Sequence, residues 1–130
     1  MFIDIHAHVY FTFFTSEARS VIPDDLCLPS GVTTVVDAGT SGADTFEDFM
    51  TQIGKGRANT KVRVFAFINI SDLGMTAAGE QNPAHFNVRK AVEMAKKHPD
   101  VIVGFKTAHY WTNAKYDAIH TPWATIDSLL

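Results

Sequence analysis

The residues of this sequence best suited to chemistry are two histidines near its start, His6 and His8. They follow a short apolar stretch, residues 2–5, that is typical of a first buried strand. Side chains two residues apart on an extended chain face the same side, so both imidazole rings should point together. Two neutral imidazoles in this arrangement can bind one divalent ion, for which zinc is a natural candidate. A pair of polar residues that caps a strand explains the same spacing, and spacing alone leaves both interpretations open.

A lysine later in the chain is the second candidate. Lys106 directly follows the apolar run of residues 101–105 and should therefore lie at the end of another buried strand. In one interpretation its aliphatic stem packs against the protein while its ammonium group reaches water. In the other, desolvation favours the neutral amine, which can react as a nucleophile. Reaction with carbon dioxide would give a carbamate, a carboxylate-like group that can bridge two metal ions.

The elements that must position these residues alternate between strand and helix. Four apolar segments predict buried strands, namely residues 2–5, 32–36, 62–70 and 101–105. Near-continuous apolar strands are typical of a parallel sheet that is covered on both faces. Three apolar stripes with helical spacing predict helices, and they occupy residues 46–53, 88–95 and 123–130. Asn82 and Pro83 are typical of the N-cap and first residue of the second helix.

This order predicts an α/β protein, with about four βα units, parallel strands and right-handed crossovers. A complete (β/α)₈ TIM barrel needs ~250 residues, so the 130 residues of this chain correspond to about half of one. The active sites of such barrels gather at the carboxyl ends of the strands. His6, His8 and Lys106 are all predicted to lie at that end.

Composition excludes several classes of function. The net charge of −3, without a cluster of lysine or arginine, gives no basic surface for nucleic acid or for an anionic membrane. The apolar stretch after His8 is too short to span a bilayer, and no positively charged segment precedes it, so we predict no export. Cys27 is the only cysteine, which rules out an intrachain disulfide and fits a cytoplasmic location.

Three segments together carry a resemblance to a known family. FIDIHAHVY at residues 2–10 resembles the first strand of the amidohydrolase superfamily. GVTTVVDAG at residues 31–39 and IVGFK at residues 102–106 resemble the deacetylase-like metal-dependent hydrolases, which are relatives of the dihydroorotases. The resemblance extends from residue 2 to about residue 130, and its three motifs occur in the order that the family shows.

The resemblance implies a barrel with a binuclear metal centre, usually of two zinc ions. His6 and His8 would bind the more buried metal, and Lys106 would be the carbamylated bridging ligand. The activity implied is hydrolysis of an amide or ester bond in a small acylated substrate by a metal-activated hydroxide. The superfamily also includes phosphoesterases and lactonases, whose first strand carries the same histidine pair. A truncated, non-catalytic product that binds metal is the third interpretation.

Most departures from the family pattern concern residues that such families carry after the position of Lys106. Such families carry two more histidine ligands, on strands five and six, and a catalytic aspartate on strand eight. We find no match to these in the 130 residues, so residues 1–130 are predicted to form the N-terminal half of a barrel, without a catalytic residue and inactive alone. Tyr10 also stands where dihydroorotases tend to carry an arginine, which counts against that activity. A half barrel exposes strand edges and apolar faces, so self-association is expected.

Overall fold

One four-stranded parallel sheet organises the chain. The computed structural model describes residues 1–11, 20–55, 60–76, 79–80 and 82–107. The sheet has the order β1-β2-β3-β4, and every neighbouring pair is parallel. Its strands are β1 (Phe2–Ala7), β2 (Val32–Gly42), β3 (Arg63–Asn69) and β4 (Ile102–Lys106). The predicted α/β class with consecutive parallel strands is confirmed, whereas the helix predicted at residues 123–130 lies outside the described residues.

Strand β2 extends well beyond its β-branched segment. The sequence predicts a strand that ends at Val36, but β2 continues to Gly42 and pairs with Asn69 of β3 after an irregularity in register. This extension consists of small and polar residues, which hydrophobic patterning does not identify as strand. Asp37 and Ser41 are nevertheless fully buried in it. Strand β2 therefore extends the carboxyl edge of the sheet with polar rather than apolar side chains.

The helices differ from prediction in where they begin and end. The stripe at residues 46–53 forms a short helix α2 (Phe46–Phe49) that continues as a π-helical turn, Met50–Lys55. Asn82 caps a separate 3-10 turn, Pro83–His85, by accepting a hydrogen bond from the Ala84 N–H. The following helix, α3 (Val88–Lys97), begins one residue after Asn87, whose side chain accepts from the Lys90 N–H. The N-cap predicted at Asn82 is therefore wrong for this helix, because Asn87 satisfies its first turn instead.

A short helix lies in the long connection between the first two strands. This helix, α1 (Pro23–Leu26), has proline at its first position, where the missing N–H costs no hydrogen bond. Across the described parts of the chain, no helix combines the length and the apolar character needed to cross a membrane.

The apolar core lies between the sheet and the helices. Phe46 and Phe49 are fully buried, and their rings stack with centroids 5.1 Å apart. They pack together with Val35, Ala66 and Ile68 of the central strands. The helical stripe predicted from residues 46–53 thus faces the sheet as expected, although part of it is wound as a π-helix. This packing fixes the sheet whose carboxyl edge carries the candidate site.

Strand β1 is exposed, which contradicts the prediction of a buried first strand. Phe2, Ile3 and Ile5 are each 66% exposed, and burial begins only at Ala7. Phe2 points to one face of β1 and Ile3 and Ile5 to the other, so the described residues cover neither face at its start. The outer edge of β1 also has no described partner strand. The apolar residues of β1 therefore form an uncovered surface beside His6.

Candidate metal centre

The three candidate residues lie at the same edge of the sheet. His6 is the penultimate residue of β1, His8 follows the end of that strand, and Lys106 is the last residue of β4. Because all four strands are parallel, their carboxyl ends meet at one edge, as in the active sites of barrel enzymes. The position predicted for these residues relative to the strands is therefore the one observed.

The two histidine rings are close together and nearly perpendicular. Their centroids are 5.4 Å apart, and the ring planes make an angle of 86°. With metal–nitrogen bonds of about 2.0–2.1 Å and tetrahedral angles, two imidazoles on one zinc ion place their centroids about 5 Å apart. The spacing of the rings thus fits two ligands of a single ion. His6 lies in the exposed strand β1, whereas His8 is partly buried.

His8 is held by a hydrogen bond with the neighbouring strand. Its Nδ1 atom lies 2.8 Å from the Thr40 hydroxyl oxygen. Thr40 belongs to the polar extension of β2 and is itself buried. An imidazole that is held through Nδ1 directs its Nε2 atom away from that contact.

The buried carboxylate of Asp37 holds the backbone on both sides of this contact. Asp37 accepts hydrogen bonds from the backbone N–H of Val9 and of Thr40, each at 2.8 Å. One carboxylate thereby joins the end of β1 to the turn that carries Thr40. Burial raises the pKa of Asp37, an effect opposed by hydrogen bonds from the Val9 and Thr40 backbone, by the Thr40 hydroxyl and by the nearby charge of His8.

The side chain of Lys106 crosses Gly39 of strand β2, the residue before Thr40. A methyl group added at Gly39 would overlap Lys106 Cβ and Cγ, so the lysine side chain packs directly over this glycine. The Gly39 carbonyl accepts from the Asn69 side-chain amide at 3.0 Å, and Asn69 is the register partner of Lys106 on β3. Gly39 and Thr40 are consecutive, so β2 contacts Lys106 with one residue and His8 with the next.

Curvature of the sheet brings these strands closer together than a flat sheet would. Residues of β2 and β4 have Cα atoms within 8 Å of each other, although β3 lies between them. In a flat sheet, strands two apart are separated by roughly 9.5 Å. The sheet is therefore curved between β2 and β4.

The donor set fits part of a metal site. The described residues contain no cluster of three or more histidine, cysteine, aspartate or glutamate side chains that could hold a metal ion. Two imidazoles with suitable spacing are present, and the aliphatic part of the Lys106 side chain packs against Gly39 at the same end of the sheet. The assignment of His6, His8 and Lys106 as metal ligands stays a prediction.

Sequence reasoning missed the residues that support the site. Residue type and spacing assign no role to Thr40 or Gly39. For Asp37 they allow a residue that orients a metal ligand, but an aspartate at this position more often caps or turns the chain. The available signal was the position of these residues, because DAGT at residues 37–40 follows a β-branched strand at the same sheet edge as His8. Tyr10, by contrast, packs edge-on against Phe49 in the core, and its hydroxyl donates to Asp48 at 2.7 Å.

Comparisons with known proteins give relatives that are named deacetylases. No family model matches the sequence. A deacetylase of Enterococcus faecalis is 35% identical over 88 residues, which are 65% of this chain and 22% of that protein. Deacetylases of Brucella anthropi and Agrobacterium fabrum are 27% and 26% identical over 108 residues, which are 80% of this chain. The chain thus spans about a quarter of the length of these relatives.

Two solved structures share the fold. A crystal structure of an adenine deaminase superposes with a TM-score of 0.76 and 23% identity, covering 97% of this chain and 33% of that chain. A dihydroorotase superposes with a TM-score of 0.72 and 23% identity, covering 98% of this chain and 40% of that chain. The predicted resemblance to the amidohydrolase superfamily and the predicted partial TIM barrel are confirmed.

Proposed function

We propose that this relative of the amidohydrolase superfamily supplies the first half of the active site of a metal-dependent, deacetylase-like hydrolase. The observation that carries the proposal is the His6–His8 pair, whose rings lie 5.4 Å apart at the carboxyl end of β1. The contact of His8 Nδ1 with Thr40 and the packing of Lys106 over the preceding residue, Gly39, support it. The relatives named deacetylases point to the same class of reaction.

In this proposal each residue has a defined task. His6 and His8 would hold zinc. Lys106 would be a further ligand as a carbamate, which forms when its amine adds to carbon dioxide and releases one proton. When bound, the metals supply Lewis-acid activation of water and of the carbonyl in an amide or ester substrate. Asp37 and Thr40 keep the end of β1 and the ring of His8 in place.

The proposal concerns a complete protein that is longer than this chain. Residues 1–130 would form the N-terminal half of its barrel, and a small acylated molecule would be its substrate. We expect the 130-residue chain alone to bind metal without hydrolysing such a substrate, because its described part provides two imidazoles and no further cluster of ligands. A cytoplasmic location belongs to the same proposal, since the single cysteine, Cys27, is a buried free thiol.

Metal content tests the ligand assignment. The chain prepared with zinc and bicarbonate is expected to retain zinc, and a His6→Ala/His8→Ala variant is expected to lose it, because both proposed imidazole ligands are gone. The matched control is His85→Ala/His98→Ala, which removes two histidines that pair with Asp72 and Glu47 instead. Elemental analysis after gel filtration gives the zinc content per chain. Equal zinc in the wild type and in the His6/His8 variant would rule out the assignment.

Self-association through β1 is also part of the proposal, with a second copy of the chain as the partner. Phe2, Ile3 and Ile5 are exposed on a strand whose outer edge has no described partner, and such an edge is a template for pairing. Sedimentation velocity should show a concentration-dependent dimer or larger species. An Ile3→Lys variant should shift the distribution toward monomer, because a charged lysine on an edge strand opposes pairing. A monomeric wild type at all concentrations would contradict this proposal.

A further inference from the structure

The sheet has an unpaired edge at each end. Strands β1 and β4 stand first and last in the order β1-β2-β3-β4, so each has only one neighbour among the strands that the structure describes. Both also expose apolar side chains: Ile3 and Ile5 of β1 are each 66% exposed, and Val103 of β4 is 51% exposed. An unpaired edge presents free backbone N–H and C=O groups and is a template for another strand. The described part of the chain therefore offers two places for strand addition.

These two edges are complementary to each other, because the strands are parallel and consecutive. A β1 strand from a second copy, added beside β4, would repeat the step that relates each strand to the next. A closed (β/α)₈ barrel has eight parallel strands, so four strands cover half of the circuit around its axis. A two-fold rotation about that axis then brings the partner's β1 to β4 and the partner's β4 to β1. The curvature of the sheet between β2 and β4 favours such closure.

We propose that two copies of the 130-residue chain form a closed eight-stranded barrel, in which β1 of each copy pairs in parallel with β4 of the other. The pairing rests on the self-association proposed above and adds its second surface, the outer edge of β4. It concerns the 130-residue chain by itself, since strands five to eight of a longer protein would occupy the place of the second copy. Only closure removes every edge of a sheet, and a two-fold ring is a closed arrangement. Pairing β1 with a second β1 would leave both β4 edges unpaired.

Charge also favours β4 over a second β1 as the partner of β1. Strand β1 carries the carboxylate of Asp4, whereas β4 contains no acidic residue and ends at Lys106. A two-fold pairing of two β1 strands centred on Asp4 would set two carboxylates directly opposite each other. One centred on Ile5 would set them on a diagonal of the same face. Like charges that face each other across paired strands are destabilising, and pairing of β1 with β4 avoids them.

The pairing would assemble each candidate metal site from both copies. His6 and His8 lie at the carboxyl end of β1, and Lys106 ends β4, three strands away in the same chain. In the closed dimer the partner's β4 is the strand next to β1, so the partner's Lys106 would lie on the strand beside His6 and His8. This consequence depends on the ligand assignment of the proposed function, whereas the strand pairing itself needs no metal.

Two charged variants and one control test the pairing in the 130-residue chain without added metal. Ile3→Lys puts a charge on β1, and Val103→Glu puts one on β4, on the face opposite the buried Ile102. Both positions are exposed, so neither change enters the apolar core. The control is Leu26→Glu, which changes a 56% exposed residue of helix α1 instead of an edge strand. Sedimentation velocity over a range of concentrations gives the mass of each species.

The wild type and Leu26→Glu are expected to form a dimer and no larger species. Ile3→Lys and Val103→Glu should remain monomeric at concentrations where the wild type is dimeric. Backbone amide hydrogen exchange of the wild type is a second measurement, which needs no variant to fold. Residues 2–7 and residues 102–106 should both gain protection when the dimer forms, because both strands acquire a partner.

A Val103→Glu variant as dimeric as the wild type, or protection gained by residues 2–7 alone, would overturn the inference while self-association through β1 stands. Wild-type species that grow beyond the dimer with concentration would overturn closure of the barrel. A monomeric wild type would overturn both the inference and the proposed self-association. A dimer with both strands protected that retains no zinc would support the pairing and remove the metal assignment of the proposed function.

Discussion

Replacing Asp37 with alanine is expected to lower the free energy of unfolding by about 2–6 kcal/mol, since each of two buried donors left without a partner costs roughly 1–3 kcal/mol. The carboxylate is fully buried and accepts two backbone N–H groups, from Val9 and Thr40. Alanine leaves both donors without a partner in a region that water does not reach. Urea denaturation followed by circular dichroism measures the change.

Asp24 provides the matched control for this substitution. Its carboxylate also accepts backbone N–H groups, from Lys61 and Val62, but in a partly exposed position. Water can replace the lost acceptor there, so Asp24→Ala should cost only about 1 kcal/mol. Similar losses in the two variants would show that the burial of Asp37 does not make it a structural clamp between the end of β1 and strand β2.

Replacing Gly39 with alanine should destabilise the chain for two separate reasons. The residue has φ of +76°, a left-handed conformation that costs an L-amino acid about 1–2 kcal/mol. The added methyl group would also overlap the Lys106 side chain, and overpacking of this kind costs roughly 1–3 kcal/mol. Together these effects predict a loss of about 2–5 kcal/mol in the free energy of unfolding.

Gly31 separates the two contributions. Its φ is +77°, almost equal to that of Gly39, but a methyl group there would meet only the Phe2 ring, at an ordinary contact distance of 3.5 Å. Gly31→Ala should therefore cost only the backbone part, about 1–2 kcal/mol. The difference between the two variants measures the contact between β2 and Lys106. If both variants lose the same stability, Lys106 does not pack over Gly39 in solution.

Hydrophobic patterning was enough to predict the strands and their parallel order. The runs at residues 62–70 and 101–105 coincide closely with β3 and β4. Burial on both faces was predicted for both strands, but Val103 of β4 is 51% exposed. The same criterion missed the second half of β2. Asp37 and Ser41 are polar, and their burial depends on the neighbouring elements rather than on their own sequence. Sequence patterning therefore underestimated the strand that supports the candidate site.

Hydrophobic patterning also failed for β1, where it predicted burial and the structure shows exposure. Its apolar residues predict burial, but burial requires other elements packed against its faces, and the described residues leave Phe2, Ile3 and Ile5 exposed. The first residue of α3 was mispredicted because two asparagines precede this helix. Either Asn82 or Asn87 could cap a helix by its residue type, and the helix begins after the one whose side chain reaches its first turn.

By itself, the sequence determined the order of strands and helices and the placement of His6, His8 and Lys106 at strand ends, since these follow from residue type and periodicity along the chain. Only the tertiary structure decided which residues support them. Thr40 meets His8 across 32 positions of sequence, and Lys106 packs over Gly39 from a strand two places away in the sheet. Such contacts depend on strand register and sheet curvature, which are set by the packing of the whole sheet and leave no local pattern in the sequence.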